Sequence, residues 1–391
     1  MTQAVEFFDS TAVDQGSQGF SGAVSDGRYL YFVPMANGPG RFSGQVTRYD
    51  SHGDFQDPTS WTVFDTAVVN SASRGFANGL FDGRYLYMIP YHNDQHHGQV
   101  TRYDTRGEFD SPASWDFFDV QILIDTGRGF VSGCFDGRYL YLTPYQISWT
   151  LYNGTMVRYD TTRDFADRDS WEVFDSTSLS SMSCGFHSAV DTRDFIYFVP
   201  FVRAQRDYHG LLVRFRRSGG FADPNSWEMV DIKGFNPRGC GFIGGCFDSQ
   251  YLYLAPYFDG KGRFGQVARY DNLQPLNEDA SWQFFDTELV HSESRGFFGT
   301  LLHNEFIYFI PHCKAEGIYN GQITRYDRRE SFMSPSAWSV LDTAAYHPMS
   351  KGYIGGAVIN NYLYMAPYET APAAHSGLIA RIDLAVRTVW K

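Results

Sequence analysis

Seven Gly-Phe or Gly-Tyr dipeptides run through the chain, at Gly19, Gly75, Gly129, Gly185, Gly241, Gly296 and Gly352. The residue in front of each carries most of the reactive chemistry: Arg74, Arg128, Arg295 and Lys351, the thiols Cys184 and Cys240, and the amide Gln18. Cations gathered at one mouth repel one another unless an anion, a carboxylate or a bound solute offsets them. The slot is therefore read as a substrate-binding ring for an anionic group. The alternative is that each long side chain reaches outward to a loop acid such as Asp125 or Glu293. Nearby guanidinium groups would lower a thiol's pKa and activate it as a nucleophile. The plainer reading of Cys184 and Cys240 is that of small residues tolerated near an axis, placed with the substrate-binding set.

A second set lies in the loops that follow the "YLYMIP"-like runs. One loop holds Tyr91, His92, His96 and His97; the next holds Tyr145, Trp149 and Tyr152; a third holds Arg203, Arg206, Tyr208 and His209; a fourth opens with His312 and Cys313. Tyr91, Tyr145, His209 and His312 are the candidate general acids and bases, since Tyr and His move protons when held beside a reacting group. Just after Gly-Phe stand His187 and the small polar residues Asn78, Ser132 and Ser188, in places that would line a channel and bind substrate. No strand carries an HxH or HxxxH pair, so no metal site is assigned and no cofactor is expected, a metal ion held by three histidines from separate loops being the alternative.

These residues are positioned by a repeat. Successive Gly-Phe sites are 56, 54, 56, 56, 55 and 56 residues apart. The second unit reads "GFANGLFDGRYLYMIPY", "HGQVTRYDT" and "SPASWDFFD". Segments such as "YLYMI" and "QVTRY" have strand composition, and the Asp-Gly pair between the first two strands is a hairpin signal. A fixed period with four short strands per unit predicts propeller blades. The fold expected is all-β, a single seven-bladed propeller over residues 1–391 with repeats starting near 19, 75, 129, 185, 241, 296 and 352. The last unit lacks its W-x-x-FD strand, and "VEFFD" at residues 5–9 matches the missing piece, so the N-terminal segment is expected to complete the final blade. The recurring Trp61, Trp115, Trp171, Trp227, Trp282 and Trp338 are expected to pack between blades, and the Asp-Gly-Arg and Arg-Tyr-Asp groups to serve turns and cross-strand pairing. From the Asp of "FD" to the slot before Gly-Phe is always ten residues, as in "DTAVVNSASR", which suggests a constant scaffold presenting variable side chains at one rim.

Bulk properties limit the partners. A net charge of −12 argues against nucleic acid and anionic membranes over the whole surface, while leaving room for a local cationic pocket. The start "MTQAVEFFDS" has no signal-peptide pattern, no apolar stretch is long enough to span a bilayer, and five cysteines without CxxC spacing suggest a reducing compartment. A cytoplasmic protein with a small-molecule partner, anionic or aromatic, is expected.

The run "FDGRYLYMIPY" with "GQVTRYDT" resembles the repeats in the propeller domain of the cylindrocyclophane-type alkylating enzymes of cyanobacteria. In that family the propeller is joined to a calcium-binding repeat domain, whose GGxGxD nonapeptide does not occur in this sequence. The resemblance implies transfer of an alkyl group from an alkyl halide to an aromatic carbon or a carboxylate, with loss of halide, and it assigns no individual residue. The function expected is a small-molecule enzyme with one asymmetric site at the channel mouth, an alkylating or transferase-type reaction on an aromatic or carboxylate metabolite being the form the resemblance suggests. The alternative is a non-catalytic binder, either a multivalent glycan binder or a protein-interaction scaffold.

Overall fold

The computed structural model describes residues 4–391. Seven four-stranded antiparallel sheets form the blades, linked by short 3-10 turns, and among the described residues there is no helix long and apolar enough to cross a membrane. The second blade runs Phe76–Phe81, Tyr85–Pro90, Gln99–Asp104 and Trp115–Asp119 from the axis outward. Inner strands of successive blades pack side by side, and Phe20–Ser25 of the first blade meets Tyr353–Ile359 of the last, so the ring is closed. The outer strand of the last blade is Val5–Asp9, paired with Leu378–Asp383 in the register Val5↔Ile382 to Asp9↔Leu378. An ion pair between Glu6 and Arg381 crosses the same seam.

The repeated residues are architectural. In the second blade the Asp82 carboxylate accepts the amides of Arg84 and Tyr85 at 2.8 and 2.7 Å and the Tyr87 hydroxyl at 2.7 Å, which fixes the hairpin. Arg84 pairs with Asp104 on the third strand at 2.6 Å. Arg102 lies 4.2 Å over Tyr85 and 4.0 Å over Phe165 of the next blade, so the Arg-Tyr-Asp groups join blades. Trp115 stacks on Phe64 of the preceding blade at 4.9 Å and 12°, and its indole N–H donates to the Phe109 carbonyl at 2.9 Å.

The seam between the last two blades departs from this pattern, because Val5 stands where the other blades have Trp. Trp390 takes over. Its ring lies 5.6 Å from Tyr308, Arg325 sits 4.0 Å above it, and the following residue, Lys391, exchanges backbone hydrogen bonds with Val340.

Gly-Phe is explained by a close approach. Gly75 has φ +72°, and a Cβ there would lie 1.7 Å from the carbonyl oxygen of His92. No side chain fits. The neighbouring Phe76 is fully buried and starts a bulge that ends at Asn78.

Candidate functional site

The entering loops and the loops between second and third strands share one face. The amides of Tyr91 and His92 donate to the Gly75 carbonyl at 3.2 and 3.0 Å, folding one loop over the other. Beneath this face, on the axis, lies a cavity of about 200 Å³. Inner-strand residues wall it, among them Asn78, Ser132, His187, Ser188, Phe298 and Thr300. The Asn78 side-chain amide donates to the Ser132 hydroxyl at 3.1 Å. The space is narrow because inner strands nearly touch: a Cβ on Gly244 would lie 2.6 Å from the Gly299 Cα.

A cycle of rings lies over the cavity. Tyr145 meets His187 at 5.5 Å, His187 meets Phe298 at 5.1 Å, Phe298 meets Tyr257 at 5.4 Å, Tyr257 meets Phe201 at 6.0 Å, and Phe201 returns to Tyr145 at 6.1 Å. Most of these contacts are edge-to-face, the geometry that ring quadrupoles favour. His312 packs against both Phe298 and Tyr257.

One polar group of this cycle, the Tyr257 hydroxyl, is hydrogen-bonded within the cluster, while the Nε2 of its partner His312 is buried without a partner. The Tyr257 hydroxyl is 2.9 Å from His312 Nδ1 and 3.5 Å from Cys313 Sγ, while the Tyr91 hydroxyl donates to the Gln146 side-chain oxygen at 3.0 Å. Burial raises Tyr91, Tyr145 and Tyr257 well above the ordinary phenol value. It lowers His187 to about 4 and His312 to about 3, the Arg263 charge adding to the effect on His312. Both members of the Tyr257–His312 pair are thus held neutral near pH 7, away from the matched values that proton transfer favours. His209 occupies a turn: its Nδ1 accepts the Leu211 amide at 3.3 Å and its Nε2 faces the Gly185 carbonyl at 3.4 Å. Burial lowers it to about 4. His97 fills the same turn position in the second blade, its Nδ1 accepting the Gln99 amide at 3.4 Å.

The cations before Gly-Phe do not wall the axial cavity. Arg74 turns outward to Asp94 at 2.5 Å, and its Nε donates to the Ser71 carbonyl at 3.2 Å. Arg295 pairs with Glu288 at 3.1 Å, whereas Glu293 pairs with Lys314. Arg128 lies near His96, and Lys351 is half-buried on its own loop. The Cys184 and Cys240 thiols point at the backbone oxygens of Arg203 and Asp259, at 3.9 and 3.8 Å. Burial pushes Cys184 up to about 11 and raises Cys240, the opposite of what a nucleophile needs. Mutual repulsion and the supply of loop acids explain why Arg74 and Arg295 pair with nearby loop carboxylates instead of converging.

Tyr257, Phe201 and Phe298 were not singled out by sequence reasoning, although Tyr257 and Phe201 occupy the same place after Pro as Tyr91 and Tyr145. Arg263 was also missed; its guanidinium lies 3.8 Å over the Tyr257 ring. Among the described residues no three His, Cys, Asp or Glu side chains gather as a metal site would require.

No family model matches this chain, and no curated protein matches it. Among solved structures it is similar to the WD40 domain of Pan2 from Neurospora crassa, with a TM-score of 0.56 and 9% identity over 98% of this chain and 97% of that one. It is also similar to PorZ, a bacterial surface component of the type-IX secretion system of Porphyromonas gingivalis, with a TM-score of 0.51 and 12% identity over 89% of this chain. The chain spans 35% of the length of PorZ. At these identities the likeness is one of fold, and the chain is a seven-bladed β-propeller.

Proposed function

We propose that this protein is a non-catalytic binding propeller, which holds its ligand on the outside of the loop face and does not transform it in the channel. The observation that carries the reading is the closed ring cycle with its internal Tyr257–His312 hydrogen bond. A catalytic mouth needs proton-transfer groups within reach of substrate and with pKa values near the working pH. Here Tyr257 and His312 are buried, neutral and hydrogen-bonded to one another, which supports a structural closure. The slot cations, each set on its own loop, supply charge to the rim and not to a shared centre.

The test is a turnover screen. The purified chain is incubated with a metabolite extract, and the mixture is followed by mass spectrometry. Retention of a compound at up to about one equivalent per chain, with nothing consumed beyond that, is the expected result. Consumption of any metabolite over many equivalents, lost in a folded His312→Gln variant, would overturn the reading.

A further inference from the structure

The hairpins between second and third strands share a position whose side chain, in five of the seven blades, lies within 3.5 Å of where a Cβ on the Gly-Phe glycine of the next blade would stand. It is paired across the hairpin with the second residue after Pro, and it holds Phe42, His96, Tyr152, Tyr208, Tyr319 and His375 in six blades. In the fifth blade the same position holds Arg263, paired with Phe258. Here alone the aromatic or histidine column is broken by a cation.

Arg263 is at the edge of a groove of about 760 Å³ that runs across the rims of the fourth, fifth and sixth blades. Five cations line it, Arg206, Lys261, Arg263, Arg295 and Lys314, against one acid, Glu316. Two are offset, Arg295 by Glu288 and Lys314 by Glu293. Arg206, Lys261 and Arg263 make no ion pair among the described residues. On a chain of net charge −12 this is a local concentration of the opposite sign. The Nε atoms of Arg263 and Arg295 are buried without a hydrogen-bond partner in the protein, an arrangement that costs energy unless a partner is supplied. The floor is aromatic: the Tyr208 and Phe258 rings pack at 4.7 Å, tilted 51° to each other, and both line the groove.

From this arrangement we infer that the groove binds a small organic polyanion carrying a flat ring, with its charged end among Arg206, Lys261 and Arg263 and its ring against Tyr208 and Phe258. The volume suits a ligand of nucleotide size. Guanidinium forks recognise phosphate and carboxylate oxygens through paired, charge-assisted hydrogen bonds. The inference rests on the non-catalytic reading above and supplies the ligand class for it.

The test is isothermal titration calorimetry of the full chain with ATP, pyrophosphate and adenosine as probes. ATP is expected to bind one per chain, more tightly than pyrophosphate, with adenosine weakest. Arg263→Met keeps the stem over Tyr257 and removes the charge; Arg206→Met does the same on an exposed loop. Each is expected to weaken ATP at least about tenfold, as the loss of a charge-assisted hydrogen bond implies. Arg74→Met, on the second blade, is expected to change ATP affinity by less than about twofold, being outside the groove. Equal losses in Arg74→Met and Arg263→Met, or equal affinity for ATP and pyrophosphate, would overturn the assignment. Binding accompanied by ATP cleavage keeps the groove and overturns the non-catalytic reading. Silence with all three probes overturns the groove and leaves that reading standing.

Discussion

The guanidinium of Arg263 lies 3.8 Å above the ring of Tyr257, whose hydroxyl is hydrogen-bonded to His312. One contact thereby joins the two halves of the loop face: the closed cycle over the axis and the cationic groove on the rim. The charge of Arg263 also helps keep His312 neutral, so the groove and the closure are electrostatically coupled.

Trp390 closes the seam that the N-terminal strand leaves without its tryptophan. Trp390→Ala is expected to cost about 3 kcal/mol or more in urea unfolding, the range of buried large-to-small changes. Trp149→Ala, at a residue 64% exposed, is expected to stay within about 0.5 kcal/mol. Similar losses at both would remove Trp390 from its role at the seam.

The two kinds of glycine should respond differently. Gly75→Ala forces a Cβ into the His92 carbonyl as well as a positive φ, and is expected to lower the melting temperature sharply or prevent folding. Gly83 has φ +99° but open space around its Cβ position, so Gly83→Ala bears only the conformational cost, on the order of 1–2 kcal/mol. Thermal melts of the two variants decide it.

Acid should loosen the protein before its carboxylates titrate. His97 and His312 are lowered to about 3, and His187 and His209 to about 4, chiefly by burial. Below the ordinary histidine value near 6.5 the unfolded chain takes up protons that the folded chain refuses. Stability is therefore full above about pH 6.5 and falls as pH drops toward 4, by up to about 1.4 kcal/mol per pH unit for each such histidine. Unfolding curves at pH 7, 6 and 5 are expected to show the loss, and His312→Gln to shallow it. A stability flat across that window would contradict the buried, neutral state of these rings.

The ring closure shows where one sequence determines structure unaided. "VEFFD" lacks a partner at its own end and fits the strand missing from "GLIARIDL", so the pairing of Val5 with Ile382 was legible. So was the packing role of Trp115, because an aromatic repeated once per blade can hardly belong to one site. Trp390 was not legible, since it lies outside the W-x-x-FD register and acts through a terminal segment that folds back on Val340. The slot cations were found, with a shared mouth and outward pairing to loop acids both left open: spacing fixes the loop on which Arg74 stands, whereas its partner Asp94 comes from the adjoining loop in the same blade. Arg263 was readable in principle as the odd letter in a column of aromatics and histidines, but the column emerges only when hairpins of unequal length are aligned by their pairing. The Tyr145–His187–Phe298–Tyr257–Phe201 cycle joins four blades, and no local pattern reports which rings meet across an axis.

The separation of closure from binding can be measured directly by comparing ATP affinity in Tyr257→Phe with that in Arg263→Met. Tyr257→Phe removes the hydroxyl bonded to His312 and keeps the ring under Arg263, so a lower melting temperature with ATP affinity within about twofold of wild type is expected. Arg263→Met is expected to reverse this, with ATP at least about tenfold weaker and melting little changed. Loss of ATP binding in Tyr257→Phe, with Arg263→Met binding as wild type, would place the ligand at the channel mouth and contradict the assignment of function to the rim.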